Sequence, residues 1–280
     1  MRINLCNEVL RHLPFEEQAA RAAELGYDGL EIAPFTLGPE PHRLPAAECR
    51  RLRRVVEDAG LRVVGLHWLL VTPEGLSITD PDPEVRRRTA EVLEGLVELC
   101  ADLGGRVMVH GSPKQRALPP GEDPDVVRRR ACALLAGVAE RAGRLGVTYC
   151  LEPLGRHEDA FATTVAEAAA LVEATGVPAL RTMIDTSAAG LSELEPPADL
   201  IRRWVPRGVI GHVQLNDRNR RGPGEGDDRF APVLRALRAV GYAGEVSVEP
   251  FVYRPDGEGV AARCIGYLRG ILDALDTETA

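Results

Sequence analysis

Glu152, Asp185 and Glu249 each follow directly on a short apolar run, in TYCLE, RTMID and VSVE. If those runs are strands of one parallel sheet, the three carboxylates converge at one partly desolvated end. They would repel one another there unless protonated or neutralised by a cation, and a divalent metal is the simplest relief. Taken singly, each acid has a plainer role open to it, as a cap on the following helix or a partner for an arginine. Taken together, they point to a centre for metal-assisted proton transfer.

Other polar residues sit at comparable places. His67 and His110 end two further apolar runs and should face the same mouth, where they would touch substrate or serve only in packing. HGSPKQR at 110–116 could hold a phosphate or carboxylate through backbone N–H groups and Lys114 or Arg116, although it is not a P-loop. In NDRNRRGPGEGD at 216–227, Asn216, Asp217 and Asn219 suit local turn bonds, whereas Arg220 could reach into the site. Trp68 is either an apolar wall of the pocket or core packing, and Glu31 either a substrate contact or a helix partner. The glycine runs fail the dinucleotide fingerprint, because none lies between a first strand and a helix with an acid beyond it.

The elements that must position these residues repeat along the chain. Six times a helical stretch meets a glycine and then a short strand: AELGYDGLEI, EDAGLRVVGLH, ADLGGRVMVH, GRLGVTYCLE, EATGVPALRTMID and RAVGYAGEVSVE. A glycine just past a helix end adopts the left-handed cap at no steric cost. With RINLC and VIGHVQL there are eight strands, near 2–6, 28–33, 62–67, 106–110, 147–152, 180–185, 209–215 and 245–249. Helices are predicted near 15–25, 45–59, 83–103, 124–144, 165–175, 197–204, 229–240 and 258–275. Strands alternating with helices give a parallel sheet, and eight of them a closed (β/α)8 TIM barrel in the α/β class, one domain over residues 1–280. Connections into the strands are bare glycine turns, while those leaving them are long. The long-loop rim is therefore the functional one.

The formal net charge is −8, which disfavours a partner with a phosphate backbone. Arginine runs at 50–54, 86–88 and 128–130 lie inside helical patterns and read as solvated outer faces. Six cysteines without a CxxC pair read as reduced, buried thiols, and the first residues lack the pattern of a secretion signal, so a cytoplasmic protein is expected. No run reaches the roughly 18 apolar residues of a membrane span.

LEPLGRHE at 151–158, MIDTSAAGLSE at 183–193, GHVQLNDRNRRGPGEGD at 211–227 and GEVSVEPF at 244–251 together resemble the sugar-phosphate isomerase/epimerase family of xylose-isomerase-like barrels. This group includes ketose 3-epimerases, hydroxypyruvate isomerases, inosose dehydratases and AP endonucleases. The resemblance runs through the whole chain in strand order. It implies one divalent ion, manganese first with magnesium or cobalt as alternatives, held by Glu152, Asp185, Gln214 and Glu249. It further implies that Glu152 and Glu249 act as acid and base on opposite faces of the substrate. Glu158 and Arg220 match substrate-contacting positions of the epimerases.

Two departures stand out. The usual ligand is the second His of GHxH, but here the motif is GHVQ, so Gln214 takes that place, as in the hydroxypyruvate-isomerase branch. His212 lies two residues deeper and is the poorer candidate, and an amide oxygen suits Mg²⁺ or Mn²⁺ better than Zn²⁺. Where ketohexose 3-epimerases place a substrate-binding His three residues after the Asp, this chain has Ala188.

The expected activity is isomerisation or epimerisation of a small sugar or polyol-derived ketone, by α-proton abstraction through a metal-stabilised enediolate. A lyase or dehydratase acting on an inosose or 3-keto-glycoside is the alternative, with His67 or His110 as acid at the leaving oxygen. AP endonuclease chemistry would need more histidines and a basic face, and a sugar-binding protein would not need two opposed glutamates. A homo-oligomer is compatible with all of this; a nucleic-acid or membrane partner is not expected.

Overall fold

The computed structural model describes residues 1–158 and 161–277. Eight strands, β1 (Ile3–Cys6), β2 (Gly29–Ile32), β3 (Arg62–Leu66), β4 (Val107–His110), β5 (Thr148–Leu151), β6 (Leu180–Asp185), β7 (Ile210–Leu215) and β8 (Val246–Val248), form a closed barrel in chain order. Every neighbouring pair is parallel, including β8 with β1, which closes the ring. The chain is a (β/α)8 TIM barrel.

The helices wrap it as α1 (Phe15–Leu25), α2 (Ala46–Asp58), α3 (Pro83–Asp102), α4 (Pro124–Arg144), α5 (Val165–Glu173), α6 (Thr186–Ser192), α7 (Pro197–Trp204), α8 (Ala231–Ala239) and α9 (Gly257–Thr277). Their starts follow local chemistry. Asp82 accepts from the Glu84 N–H at the head of α3, and Asp123 accepts from the Asp125 N–H at the head of α4, each with proline in the first turn. Gly26 ends α1 with φ 92°, the left-handed cap expected there. The arginine runs lie on exposed or partly exposed helix faces; Arg51, Arg87 and Arg128 pair with Glu48, Glu84 and Asp125 one turn away, while Arg86 and Arg88 donate to loop carbonyls.

Two apolar layers result. Leu30, Met108, Tyr149 and Ile184 belong to the large core that includes the helix stripes, whereas Val64, Val107, Val109, Cys150 and Met183 form a small separate cluster. Because side chains alternate along a strand, the second set is the barrel interior. All six cysteines are free and buried. Among the described residues no helix is long and apolar enough to cross a membrane.

α6 was not anticipated. It begins on Asp185 itself, whose Oδ1 accepts from the Ala188 N–H at 2.7 Å, and it lies at the rim where an open loop was expected.

Candidate active site

Glu152 and Glu249 stand one residue beyond β5 and β8, and their N–H groups still bond to the adjacent strands, at His110 O and Leu215 O. Their side chains turn inward to meet Asp185 at the end of β6. One oxygen from each of the three lies within 4.8 Å of the others, and all three residues are buried. Desolvation, then the charge of Asp185, pushes the Glu152 carboxyl well above the usual range; desolvation, then Glu152, does the same to Glu249. Asp185 is pushed up to about 7 by burial, against the opposing hydrogen bond from Ala188. Ionised together the three carboxyls would repel one another, so without a cation the cluster favours retained protons.

Asp185 thus caps a helix with one oxygen while its Oδ2 remains buried without a partner. The capping and metal roles are compatible. Gln214 pairs in register with Asp185, is fully buried, and also leaves its Oε1 unpartnered. Its Nε2 donates to Glu31 Oε1 at 3.0 Å. Two orphaned buried oxygens beside three crowded carboxylates form an all-oxygen donor set, which fits a hard divalent cation. His212 does not belong to it, since its Nε2 lies 2.7 Å from Glu31 Oε2.

A cavity of about 480 Å³ opens above the carboxylates, which form part of its lining. Glu158 and Arg220 both line it and pair with each other at 3.1 Å. The Arg220 guanidinium also lies 4.9 Å from the Phe251 ring centroid. Trp68 forms an apolar wall, edge-on to Phe35 and Phe251 at 5.4 and 5.8 Å between ring centroids. Lys114 lines the cavity from a short 3-10 turn, Pro113–Arg116.

The two histidines expected at the mouth are not in that lining. His110 shares its face of β4 with Met108, so it points toward the helix layer, where its Nδ1 meets Tyr149 Oη at 2.7 Å. Burial, then the charge of Arg116, lowers its pKa to about 3, so it is neutral. His67 does point inward, but it is wholly buried. Its Nε2 lies 2.9 Å from Glu8 Oε2 and 3.7 Å from Glu249 Oε1, and its Nδ1 lies 3.7 Å from Glu31 Oε1. Burial would lower its pKa, but the charge and hydrogen bond of Glu8, with Glu31, raise it instead. Neither ring is free to meet substrate.

Three residues support the site in roles the sequence does not announce: Glu8, and Glu31 and Arg116, which the sequence offers as a substrate contact or helix partner and as an anion ligand. Glu8 and Glu31 supply the buried acids that hold His67, His212 and Gln214. Arg116, fully buried, donates to the carbonyls of His110 and Glu152 at 3.1 and 2.7 Å and so fixes the backbone that carries Glu152. Arg116 therefore serves the backbone at the ends of β4 and β5, not an incoming phosphate or carboxylate.

Residues 19–271 match the model of the family described as xylose isomerase-like TIM barrel. An L-ribulose 3-epimerase of Mesorhizobium japonicum is 32% identical over 240 residues, covering 84% of this chain and 75% of that protein. A D-psicose 3-epimerase of Enterocloster bolteae is 34% identical over 240 residues, covering 85% and 77%. The fold matches a crystal structure of a 3-keto-D-glucoside 4-epimerase from E. coli with a TM-score of 0.82 at 24% identity, over 96% of this chain and 99% of that one. With its closed barrel, its carboxylate-floored cavity and a family match over most of its length, the chain belongs to the xylose isomerase-like TIM barrel family.

Proposed function

We propose that this protein is a divalent-metal-dependent epimerase or isomerase of a small keto-sugar. The observation that carries the reading is the cluster of Glu152, Asp185 and Glu249 on the floor of a sugar-sized cavity, with unpartnered oxygens on Asp185 and Gln214. A manganese ion, or magnesium or cobalt, held by Glu152, Asp185, Gln214 and Glu249 would polarise the substrate carbonyl and acidify the neighbouring C–H.

The proton transfers fall to the two glutamates. One carboxylate takes the proton from the carbon beside the ketone, and the C–H electron pair moves into an enediolate. The other glutamate returns a proton to the opposite face, or to the neighbouring carbon for an isomerisation. β5 and β8 are separated by β6 and β7 on one side of the ring, so the two acids approach from different directions. Arg116 holds the Glu152 backbone during this exchange. Glu158, Arg220 and Lys114 bind the sugar hydroxyls and tail, and Trp68 and Phe251 cover its apolar face. An elimination would need an acid at the leaving oxygen, and His67 and His110, its candidates, lie outside the cavity lining. With those two excluded as acids and ketose 3-epimerases among its relatives, epimerisation is the preferred reading.

The test is deuterium uptake from solvent into a panel of ketoses and 3-keto-glycosides by metal-loaded protein. Glu152→Gln and Glu249→Gln should each retain the metal and slow exchange by about 10²–10⁴-fold. Wild-type exchange in both variants would refute the assignment.

A further inference from the structure

Lys114 is the only lysine among 34 basic residues; every other one is an arginine. On this protein's surface the ordinary work of a cation is done by arginine, in pairs such as Arg51 with Glu48, Arg87 with Glu84 and Arg202 with Asp199. The one side-chain ammonium lies in the lining of the catalytic cavity. Among the described residues it has neither an ion-pair nor a hydrogen-bond partner, whereas Arg220, the other cation of that lining, is paired with Glu158.

We propose that Lys114 reads an anionic oxygen group, a phosphate or carboxylate, carried by the substrate away from its reacting ketone. The preferred substrate is then an acidic keto-sugar rather than a neutral one. This rests on the epimerase reading of the same site and narrows its substrate class.

The chemistry of the side chain supports it. A guanidinium is a planar fork that chelates carboxylates, and Glu74, Glu152, Glu158, Asp185 and Glu249 all line this cavity. An arginine at 114 would be drawn to one of them, as Arg220 is. An ammonium is a compact point charge with no fork, and it remains available to a ligand. A neutral sugar has little use for it, because hydroxyls are served by the Glu158–Arg220 pair and ring faces by Trp68 and Phe251. An acidic substrate needs it, since the same carboxylates would otherwise repel the anion.

The turn that presents Lys114 is also fixed on several sides. Ser112 Oγ donates to Leu69 O, Ile78 N–H donates to Gln115 O at 2.9 Å, and Arg116 is tied to the ends of β4 and β5. The ammonium is thus offered from a held backbone, with only its own side chain left to adjust.

The experiment compares D-fructose, D-fructose 6-phosphate and D-fructuronate as substrates for solvent-deuterium uptake, read by mass spectrometry. The wild type should favour at least one of the two acids over fructose by roughly tenfold or more in kcat/KM, the effect of one charge-assisted hydrogen bond. The phosphate and carboxylate arms identify which anion is read. In Lys114→Met that ratio should fall toward one. A neutral preference in wild type, or an unchanged ratio in Lys114→Met, overturns the proposal.

A second measurement does not depend on turnover. Reductive methylation labels only Lys114 and the N-terminal amine, and fructose 6-phosphate or fructuronate, but not fructose, should slow labelling of Lys114 at least threefold relative to the terminus. If no ketose exchanges deuterium, the epimerase reading fails, and this protection decides the role of Lys114 by itself. Absence of protection by both acids sinks it.

Discussion

Gln214 donates from Nε2 to Glu31 Oε1 at 3.0 Å, and that single bond sets which end of the amide is left over for the carboxylate cluster. With the nitrogen engaged, the oxygen remains, buried and unpartnered beside Asp185. Glu31 is itself held ionised: burial would raise its pKa, but the charges of His212 and His67 and the His212 hydrogen bond bring it down to about 2. Glu31→Gln should let the Gln214 amide turn and weaken manganese binding by about 10–100-fold, the usual cost of removing a partner that orients a ligand. Calorimetric titration of metal-stripped protein measures this, and unchanged affinity would exclude the orienting role. Gln214→His should raise zinc affinity relative to manganese in the same assay.

Gly111 gives the second prediction. A Cβ built there would stand 1.7 Å from Glu152 Oε2 and 2.8 Å from Glu152 Cδ. The carboxylate can move aside, so Gly111→Ala should fold with an unaltered circular dichroism spectrum. It should nonetheless lose metal affinity and deuterium exchange by about tenfold or more, because a 1 Å error in a reacting group is costly. Normal exchange in this variant would mean that Glu152 works from a different position.

The raised carboxyls give the metal-free protein a pH dependence of stability. Asp185 titrates at about 7 in the fold, pushed up by burial, against about 3.9 in an unfolded chain. The folded form therefore keeps a proton that the unfolded chain releases. Its stabilisation is complete below about pH 4 and is lost as pH rises through about 7, and Glu152 and Glu249 act in the same direction. Metal-stripped protein should melt lower at pH 8 than at pH 5, by roughly 2–4 °C for each kcal/mol lost. The melting-temperature gain from saturating manganese should grow over the same interval, since the metal displaces those protons. A metal-free melting temperature that rises with pH would contradict the assignment.

Arg220→Ala should raise KM, or lower kcat/KM, by roughly tenfold while leaving the metal bound and the fold intact. The guanidinium contacts Glu158 and the face of Phe251 but none of the three clustered carboxylates within ion-pair distance. Steady-state kinetics beside metal analysis separates the two effects. Wild-type kinetics would leave the Glu158–Arg220 pair a scaffold only.

The barrel was legible because its repeats are local. Gly26 and Asp82 announce helix ends through nearest-neighbour chemistry, and eight alternations leave few topologies. Cap-level chemistry is also why the strand and helix spans read from the sequence agree with the observed ones to within one or two residues at most ends. Glu152, Asp185 and Glu249 were legible as carboxylates ending apolar runs. The buried support was not, because the contacts of Glu31 with His212 and of Glu8 with His67 join residues 181 and 59 positions apart. His110 misled for a different reason. Whether the last residue of a strand points into the barrel depends on the parity of its register, and Val107 and Val109 take the interior face.

The backbone of Arg220 has a bearing on how this barrel could be re-engineered. Its residue adopts φ 67°, and its carbonyl accepts from the N–H groups of Phe251 and Val252 at 2.9 and 3.2 Å. On the same side, Asn216 Nδ2 donates to Glu249 O at 3.0 Å. The segment after β7 is thereby stitched to Glu249 itself and to Phe251 and Val252 beyond it. A loop transplanted from a relative at 216–228 alone would tear those stitches and shift Glu249, whereas one carried together with 249–252 would arrive with its own. The unit of exchange on this rim is the pair of loops.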